Sequence, residues 1–274
     1  MDAADTDDTA ETSAAAATDD TSETTAAALA EQQEALTDLL VALDAADWAH
    51  PSRCEGWSVA DVVLHLAQTD EMALASVEGR FAEEVDGLTA GLGQAADVDE
   101  GADLMVARER GGPPAAILER WRSGAAALRR ALDAVDPHTR VTWVAGELSA
   151  RTLATTRLAE TWIHGDDIAL PLGRPLPPGD RLRHVARLAW RTLPYAFARA
   201  GRTLAGPVAF SLRGPGGEPW ELAPEGGTDP ATVVRGDGVE LCLVAARRVE
   251  PADTGLVAEG RDGAAVLELV RTYA

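Results

Sequence analysis

The chain contains no lysine, so all of its positive side chains are arginines. Its 24 basic residues stand against 45 acidic ones, and the formal net charge is −21. The first 52 residues hold 13 of the acidic residues and no basic residue. A chain without a basic cluster lacks the electrostatic footprint of proteins that bind nucleic acid or an anionic membrane surface. We therefore expect neither as a partner.

Cysteine and long apolar runs are also scarce. The 2 cysteines, Cys54 and Cys242, lie far apart and form no CxxC pair, which favours a reduced protein with two independent thiols. A disulfide between them remains a minor alternative. No run approaches the ~20 apolar residues of a membrane span, and the acidic N-terminus shows no signal-peptide pattern. We predict a cytoplasmic protein.

Apolar periodicity divides the chain into three parts. Residues 1–24 consist almost wholly of Ala, Thr, Asp, Ser and Glu, and predict a disordered acidic tail because they cannot offset the entropy of ordering. Residues 25–177 contain four helical patterns, over about 26–46, from Val59, over 115–134 and from Ala150. Four helices of this length predict a bundle.

Residues 178–274 have a different character. A helical pattern over about 180–200 leads to two alternating runs around a Gly-Pro-Gly-Gly turn, which is typical of a hairpin. A strand, a helix and a last helix follow. We predict a smaller α+β domain here, so that the fold class is mainly α with a small α+β part.

The fourth predicted helix carries a polar stripe. Glu160 and His164 are four residues apart and share one helical face, which Arg157 and Asp167 extend in both directions. Burying such groups is costly unless they pair or bind a metal. A Glu-x-x-x-His pair also occurs by chance, so a solvated face or a side-chain hydrogen bond is the alternative.

A third candidate ligand lies in the second predicted helix. His65 stands among apolar residues, where a hydrogen-bonded core histidine is the alternative, but facing helices of a bundle can bring it to Glu160 and His164. Three protein ligands with an open fourth position are typical of a catalytic zinc site. Asp167 and Asp61 could orient the imidazoles. Asp61 is better explained by the helix cap that Ser-x-x-Asp predicts.

Two motifs resemble a known family. RCEGWSVADVVLHLAQTDE (53–71) and RLAETWIHGDDIALPLGRPLP (157–177) are similar to the two signatures of the DinB-like mycothiol-dependent maleylpyruvate isomerase family. The resemblance covers about residues 26–274. It implies a DinB-like four-helix bundle followed by a smaller α+β domain. It also implies a divalent metal bound by His65, Glu160 and His164, with zinc preferred and nickel or manganese as alternatives.

The resemblance further implies a low-molecular-weight thiol, such as mycothiol, as cosubstrate. We expect a metal-dependent enzyme that uses this thiol for S-transfer to, or isomerisation of, a small electrophilic substrate. Asp167 and Arg157 are the candidate catalytic residues. Arg157 could bind a carboxylate of substrate or thiol, although an ion pair with Glu160 or Asp167 is favoured. Arg247 and Arg248 are candidate cofactor-binding residues beside a cleft between the domains.

Two other functions stay open. A metal-bound water could support a hydrolase or cyclase without any thiol. A closed site with a fourth protein ligand, from Asp167 or Cys54, would indicate a non-catalytic metal-binding module. We expect Cys54 near the start of the second helix rather than beside the metal. Monomer and homodimer are both compatible with the sequence.

Overall fold

The computed structural model describes residues 24–144 and 146–272. The predicted acidic tail therefore lies, apart from Thr24, outside the described residues. The first part of the fold consists of seven helices and a small hairpin. They are α1 (Thr25–Val41), α2 (Ala45–Ala49), α3 (Val59–Val77), α4 (Phe81–Thr89), α5 (Val98–Glu109), α6 (Pro114–Ala134), β1 (Arg140–Trp143), β2 (Gly146–Ser149) and α7 (Ala150–Ala169).

The four long helices α1, α3, α6 and α7 form the predicted bundle. α3 packs against α6 and α7, and α1 packs against α7 and α6. Large apolar side chains such as Leu36, Leu66 and Trp121 are fully buried between them. The first predicted helix is shorter than expected, because Asp44 forms a capping box that starts the separate helix α2.

The start of α3 follows the capping prediction. The Ser58 hydroxyl accepts a hydrogen bond from the Asp61 N–H at 3.3 Å, and the Asp61 carboxylate accepts one from the Ser58 N–H at 2.9 Å. Asp61 also pairs with Arg110. The alternative role for Asp61, orienting His65, is wrong, since the buried Nδ1 of His65 has no hydrogen-bond partner among the described residues.

The stretch around 86–101 contains the end of α4 and the start of α5, and both helices pack against α3. Leu88 of α4 and Met105 of α5 form a small apolar cluster with Met72 of α3. The segment VTWVAGELS forms the antiparallel pair of β1 and β2 directly before α7.

The C-terminal part is a small α+β unit. Its elements are α8 (Leu182–Arg191), α9 (Leu193–Arg199), β3 (Val208–Arg213), β4 (Pro219–Leu222), β5 (Thr232–Asp237), α10 (Gly238–Ala245), β6 (Val257–Gly260) and α11 (Gly263–Leu269), with short 3-10 helices at Glu225–Gly227 and Pro251–Asp253. The sheet order is β4-β3-β5-β6. The predicted hairpin is β3 and β4. The single helix predicted over 180–200 is two helices, because Pro194 stands in the first turn of α9.

The bundle and the C-terminal part share apolar core. One buried cluster contains Leu158 and Trp162 of α7 together with Val185 of α8 and Phe210 of β3. The mainly helical fold class with a small α+β part is confirmed, whereas the domain boundary near residue 177 stays a prediction. None of the described helices combines the length and apolar character that a membrane span requires.

Candidate metal centre

The facing surfaces of α3 and α7 bring His65, Glu160 and His164 together, as the sequence predicted. The Glu160 Oε2 atom lies 3.9 Å from His65 Nε2 and 3.4 Å from His164 Nε2. The two imidazole rings meet edge to face, with centroids 5.0 Å apart. Trp57, in the loop before α3, packs on His65 with ring centroids 5.2 Å apart. Trp57 is an addition to the predicted site residues, and it belongs to the first of the two family-like motifs, residues 53–71.

The donor set fits a divalent transition metal. One donor atom of each of the three residues lies within 4.8 Å of the others. Two ligands bound at about 2.1 Å to one ion lie at most about 4.2 Å apart, so only a small contraction is needed. Two imidazole nitrogens and one carboxylate oxygen suit zinc. The Glu160 side chain is 29% exposed, so its carboxylate is partly accessible to solvent.

The charges of the cluster are strongly coupled. Burial lowers the pKa of His65 and favours the neutral, ligating form. Burial opposes ionisation of Glu160, yet the imidazoles of His164 and His65 hold its pKa well below the usual range. Burial also opposes charge on His164, but contacts with Asp167, Cys54 and Glu160 raise its pKa well above the usual value. Metal binding would therefore release a proton from His164.

Asp167 orients His164 from the opposite side of the ring. Its Oδ2 lies 3.1 Å from His164 Nδ1, and its side chain is fully buried. Arg248, which follows α10, donates to both Asp167 oxygens, at 2.8 and 2.6 Å. Burial raises the pKa of Asp167, but its hydrogen bonds to His164 and Arg248 outweigh that effect and hold it far below the usual range. A carboxylate on the second nitrogen of a histidine is typical of metal sites, where it sets the direction of the ligating nitrogen.

Arg157 does not pair as expected. Its side chain is 1% exposed and donates from Nε to Asp70 Oδ1 at 2.9 Å and from Nη2 to Thr69 Oγ1 at 2.8 Å. The favoured ion pair with Glu160 or Asp167 is wrong, because α3 places Asp70 opposite Arg157. In this buried position the guanidinium does not reach a substrate. Its charge still helps to lower the pKa of Glu160.

Cys54 precedes α3, as expected, but it also contacts His164, one of the candidate metal ligands. Its Sγ donates to Asp167 Oδ2 at 3.3 Å and lies 3.7 Å from His164 Nδ1. The loop before α3 folds back onto the end of α7, where the Arg53 N–H donates to the Asp167 carbonyl at 3.0 Å. Local sequence spacing carries no signal for this contact. Cys54, His164 and Asp167 thus form a second group of possible ligands on the Nδ1 face of His164.

The remaining predictions concern the two neighbouring arginines and the two cysteines. Arg248 reaches the centre, but Arg247 turns away and donates to the Glu268 carbonyl at 2.8 Å. Arg247 adopts a positive φ of 59°, which separates the directions of the two neighbours. Cys54 and Cys242 are both free, so the alternative of a disulfide is wrong.

The fold and the site define a class of protein: a four-helix bundle with a two-histidine, one-glutamate cluster and an α+β unit behind it. Comparison with known proteins identifies the family of the chain. Residues 29–169 match the family described as mycothiol maleylpyruvate isomerase N-terminal domain. The chain belongs to this family, which confirms the resemblance seen in its two motifs.

Individual relatives agree with the family match. The chain is 34% identical over 246 residues to an uncharacterised protein found in two strains of Mycobacterium tuberculosis, covering 89% of this chain and 92% of the relative. Crystal structures of the mycothiol-dependent maleylpyruvate isomerase and of its histidine-to-alanine mutant are 20% identical, with TM-scores of 0.56 and 0.55. They cover 86% of this chain and 91% of theirs. At this identity the likeness establishes the fold alone.

Proposed function

We propose that the protein is a metal-dependent enzyme that uses a low-molecular-weight thiol, mycothiol or a close analogue. It would transfer the sulfur to, or isomerise, a small electrophilic substrate. The observation that carries the proposal is the convergence of His65, Glu160 and His164 on one accessible point between α3 and α7. The family of the chain and the mycothiol-dependent isomerase of the same fold support the choice of thiol.

Three residues would bind the metal ion, and a fourth would orient one of these ligands. His65 Nε2, Glu160 Oε2 and His164 Nε2 would hold the ion, zinc by preference and nickel or manganese as alternatives. When bound, such an ion favours the thiolate of a thiol, which is its nucleophilic form. Asp167 accepts from His164 Nδ1 and keeps Nε2 directed at the ligand position.

The arginines near the candidate metal centre have different roles. Arg248 holds Asp167 in place and keeps 25% of its side chain exposed, so it can also face a bound thiol or substrate. We therefore assign the cofactor-side role to Arg248 and none to Arg247. Arg157 is a positioning residue, because its buried charge acts on Glu160 without contact to a substrate.

Two alternative functions would require different features of the metal site. A hydrolase or cyclase could use the same three ligands with a bound water. A closed, non-catalytic module would need a fourth protein ligand. Within the described part of the chain no fourth residue joins the Nε2 side of the cluster, since Asp167 and Cys54 lie on the Nδ1 side of His164. This open position favours an enzyme.

The first test is metal content. Elemental analysis of the purified wild type should give about one equivalent of metal, and Glu160→Ala and His164→Ala should give none. Exposed residues of the same types, Glu119→Ala and His138→Ala, are the matched controls and should retain the metal. A metal-free wild type that also fails to bind added zinc, nickel or manganese would refute the metal centre.

The second test separates the three functions. The metal-loaded protein is assayed against electrophilic substrates, including maleylpyruvate, with and without mycothiol. Turnover that requires mycothiol supports the proposal. Turnover without thiol indicates the hydrolase or cyclase, and stoichiometric metal without any turnover indicates a binding module.

A further inference from the structure

The two histidines of the candidate metal centre are held in different ways. His164 has the Asp167 carboxylate 3.1 Å from its Nδ1 atom. The Nδ1 atom of His65 is buried and has no hydrogen-bond partner among the described residues. A histidine that binds a metal through one ring nitrogen usually donates a hydrogen bond from the other, and this bond fixes the direction of the ring. The direction of His65 must therefore depend on a different contact.

The indole ring of Trp57 supplies such a contact. Its centroid lies 5.2 Å from the centroid of the His65 ring, and the two ring planes are tilted by 52°. The ring of His164 packs edge to face on His65, with centroids 5.0 Å apart. Aromatic rings at this spacing attract each other in preferred orientations, beyond the effect of the area that they bury. Of the two rings that contact His65, only Trp57 is not itself a candidate ligand.

Trp57 is well fixed in its own position. Its indole N–H donates to Asp103 Oδ1 of α5 at 2.7 Å. Its backbone N–H donates to the Cys54 carbonyl at 3.0 Å, and its carbonyl accepts from the Ser52 N–H at 2.9 Å. The half-buried ring also packs against the apolar core of the bundle. A side chain that is held by packing and hydrogen bonds can in turn hold a neighbouring ligand.

We propose that Trp57 is a positioning residue for metal binding, whose ring keeps His65 Nε2 directed at Glu160 and the ion. A neutral imidazole that binds through Nε2 carries its proton on Nδ1, and in His65 that proton has no acceptor among the described residues. Ring packing by Trp57 takes the part that the Asp167 carboxylate has for His164. The inference rests on the proposed metal centre and extends it to a residue that does not bind the ion.

The test compares two replacements that are both smaller and apolar but differ in aromaticity. Trp57→Phe keeps a ring for His65, whereas Trp57→Leu does not. Zinc affinity of the full-length protein is measured by chelator competition. We expect Trp57→Leu to weaken zinc binding about tenfold, and Trp57→Phe to stay within about threefold of the wild type. The matched control Trp143→Leu removes another half-buried tryptophan, which packs on Phe81, and should change the affinity less than about twofold.

Cobalt(II) gives a readout that a purely structural role would not change. Its visible absorption depends on the geometry of its ligands, so a misdirected His65 should alter the spectrum of the cobalt-saturated protein. We expect an altered spectrum for Trp57→Leu and the wild-type spectrum for Trp57→Phe and Trp143→Leu. Circular dichroism and urea denaturation measure folding separately. A loss of stability in Trp57→Leu with unchanged zinc affinity and cobalt spectrum would make Trp57 a structural residue and overturn the inference.

Asp103→Ala carries the test if Trp57→Leu does not fold. It removes the acceptor of the indole N–H at an exposed position, and we expect zinc binding to weaken about two- to fivefold. Asp99→Ala makes the same charge change on α5 and is its control. Equal zinc affinities in Asp103→Ala and Asp99→Ala would overturn the inference.

The remaining outcomes separate this inference from the metal centre itself. Equal losses of zinc affinity in Trp57→Phe and Trp57→Leu would overturn the inference, because an aromatic ring would then have no advantage over an apolar side chain. The metal centre would stand in that case. A wild type that binds no metal would overturn both.

Discussion

Two polar clusters lie between α3 and α7, and they balance their charges in different ways. In one, Arg157 faces Asp70 at 2.9 Å, and the two side chains are 1% and 0% exposed. In the other, the carboxylate of Glu160 faces the imidazoles of His65 and His164. In the described part of the chain no arginine forms an ion pair with Glu160.

This difference separates a structural pair from a candidate ligand set. The charges of Arg157 and Asp70 face each other within the protein, and of the two Asp70 oxygens only Oδ1 is hydrogen-bonded, while the buried Oδ2 has no hydrogen-bond partner among the described residues. The second cluster offers nitrogen and oxygen lone pairs that converge, which is what an external cation needs. The polar residues on one face of α7 therefore belong to two clusters, a structural ion pair and a candidate set of metal ligands.

The largest expected effect is on metal binding by His65→Ala. This variant should fall from about one equivalent of metal to none while keeping its helical circular dichroism, because apolar residues dominate the buried face of α3. Elemental analysis and circular dichroism measure the two properties. Global unfolding of the variant would instead make His65 a core histidine or part of a structural metal site.

Removing Arg157 from its buried ion pair with Asp70 should strongly destabilise the fold. Arg157→Leu leaves Asp70 buried without its cation, and we expect a loss of about 3–5 kcal/mol in the free energy of unfolding. Urea denaturation measures this loss. The double variant Arg157→Leu/Asp70→Leu should recover most of it. A single-variant loss below about 1 kcal/mol would show that the pair is not a structural device.

Removing the carboxylate that orients His164 should have an effect of intermediate size on metal binding. Asp167→Asn weakens the group that orients the imidazole, and we expect metal affinity to fall about 10–100-fold. Chelator competition measures the affinity. Asp166→Asn, one residue away, is the control and should change it little. If both variants bind metal as tightly as the wild type, the direction of His164 does not depend on Asp167.

The smallest effect concerns the two thiols. Cys54 is partly exposed, whereas burial raises the pKa of Cys242 and keeps it protonated. We expect iodoacetamide to label Cys54 in the native protein and Cys242 only after unfolding. Mass spectrometry of labelled peptides reads out both sites. Equal labelling rates in the native protein would contradict the placement of Cys242 in the core.

Local patterns were sufficient for much of the fold. The capping box of Ser58 and Asp61, the apolar spacing of the four long helices and the turn before β4 all act over a few residues, so they can be read along the chain. The pairing of Glu160 with His164 is also local, since four residues make one helical turn. Helix α4 and strand β6 escaped prediction because their short patterns depend on packing for support.

By itself, the sequence determined the helical bundle, the identity of the three candidate ligands and the smaller α+β part that follows. Only the tertiary structure decided that Arg157 pairs with Asp70, that Cys54 and Arg248 meet at Asp167, and that Trp57 packs on His65. The physical reason is distance along the chain. Helical periodicity sets which face a side chain occupies, but only the packing of helices and loops sets which distant residue it meets.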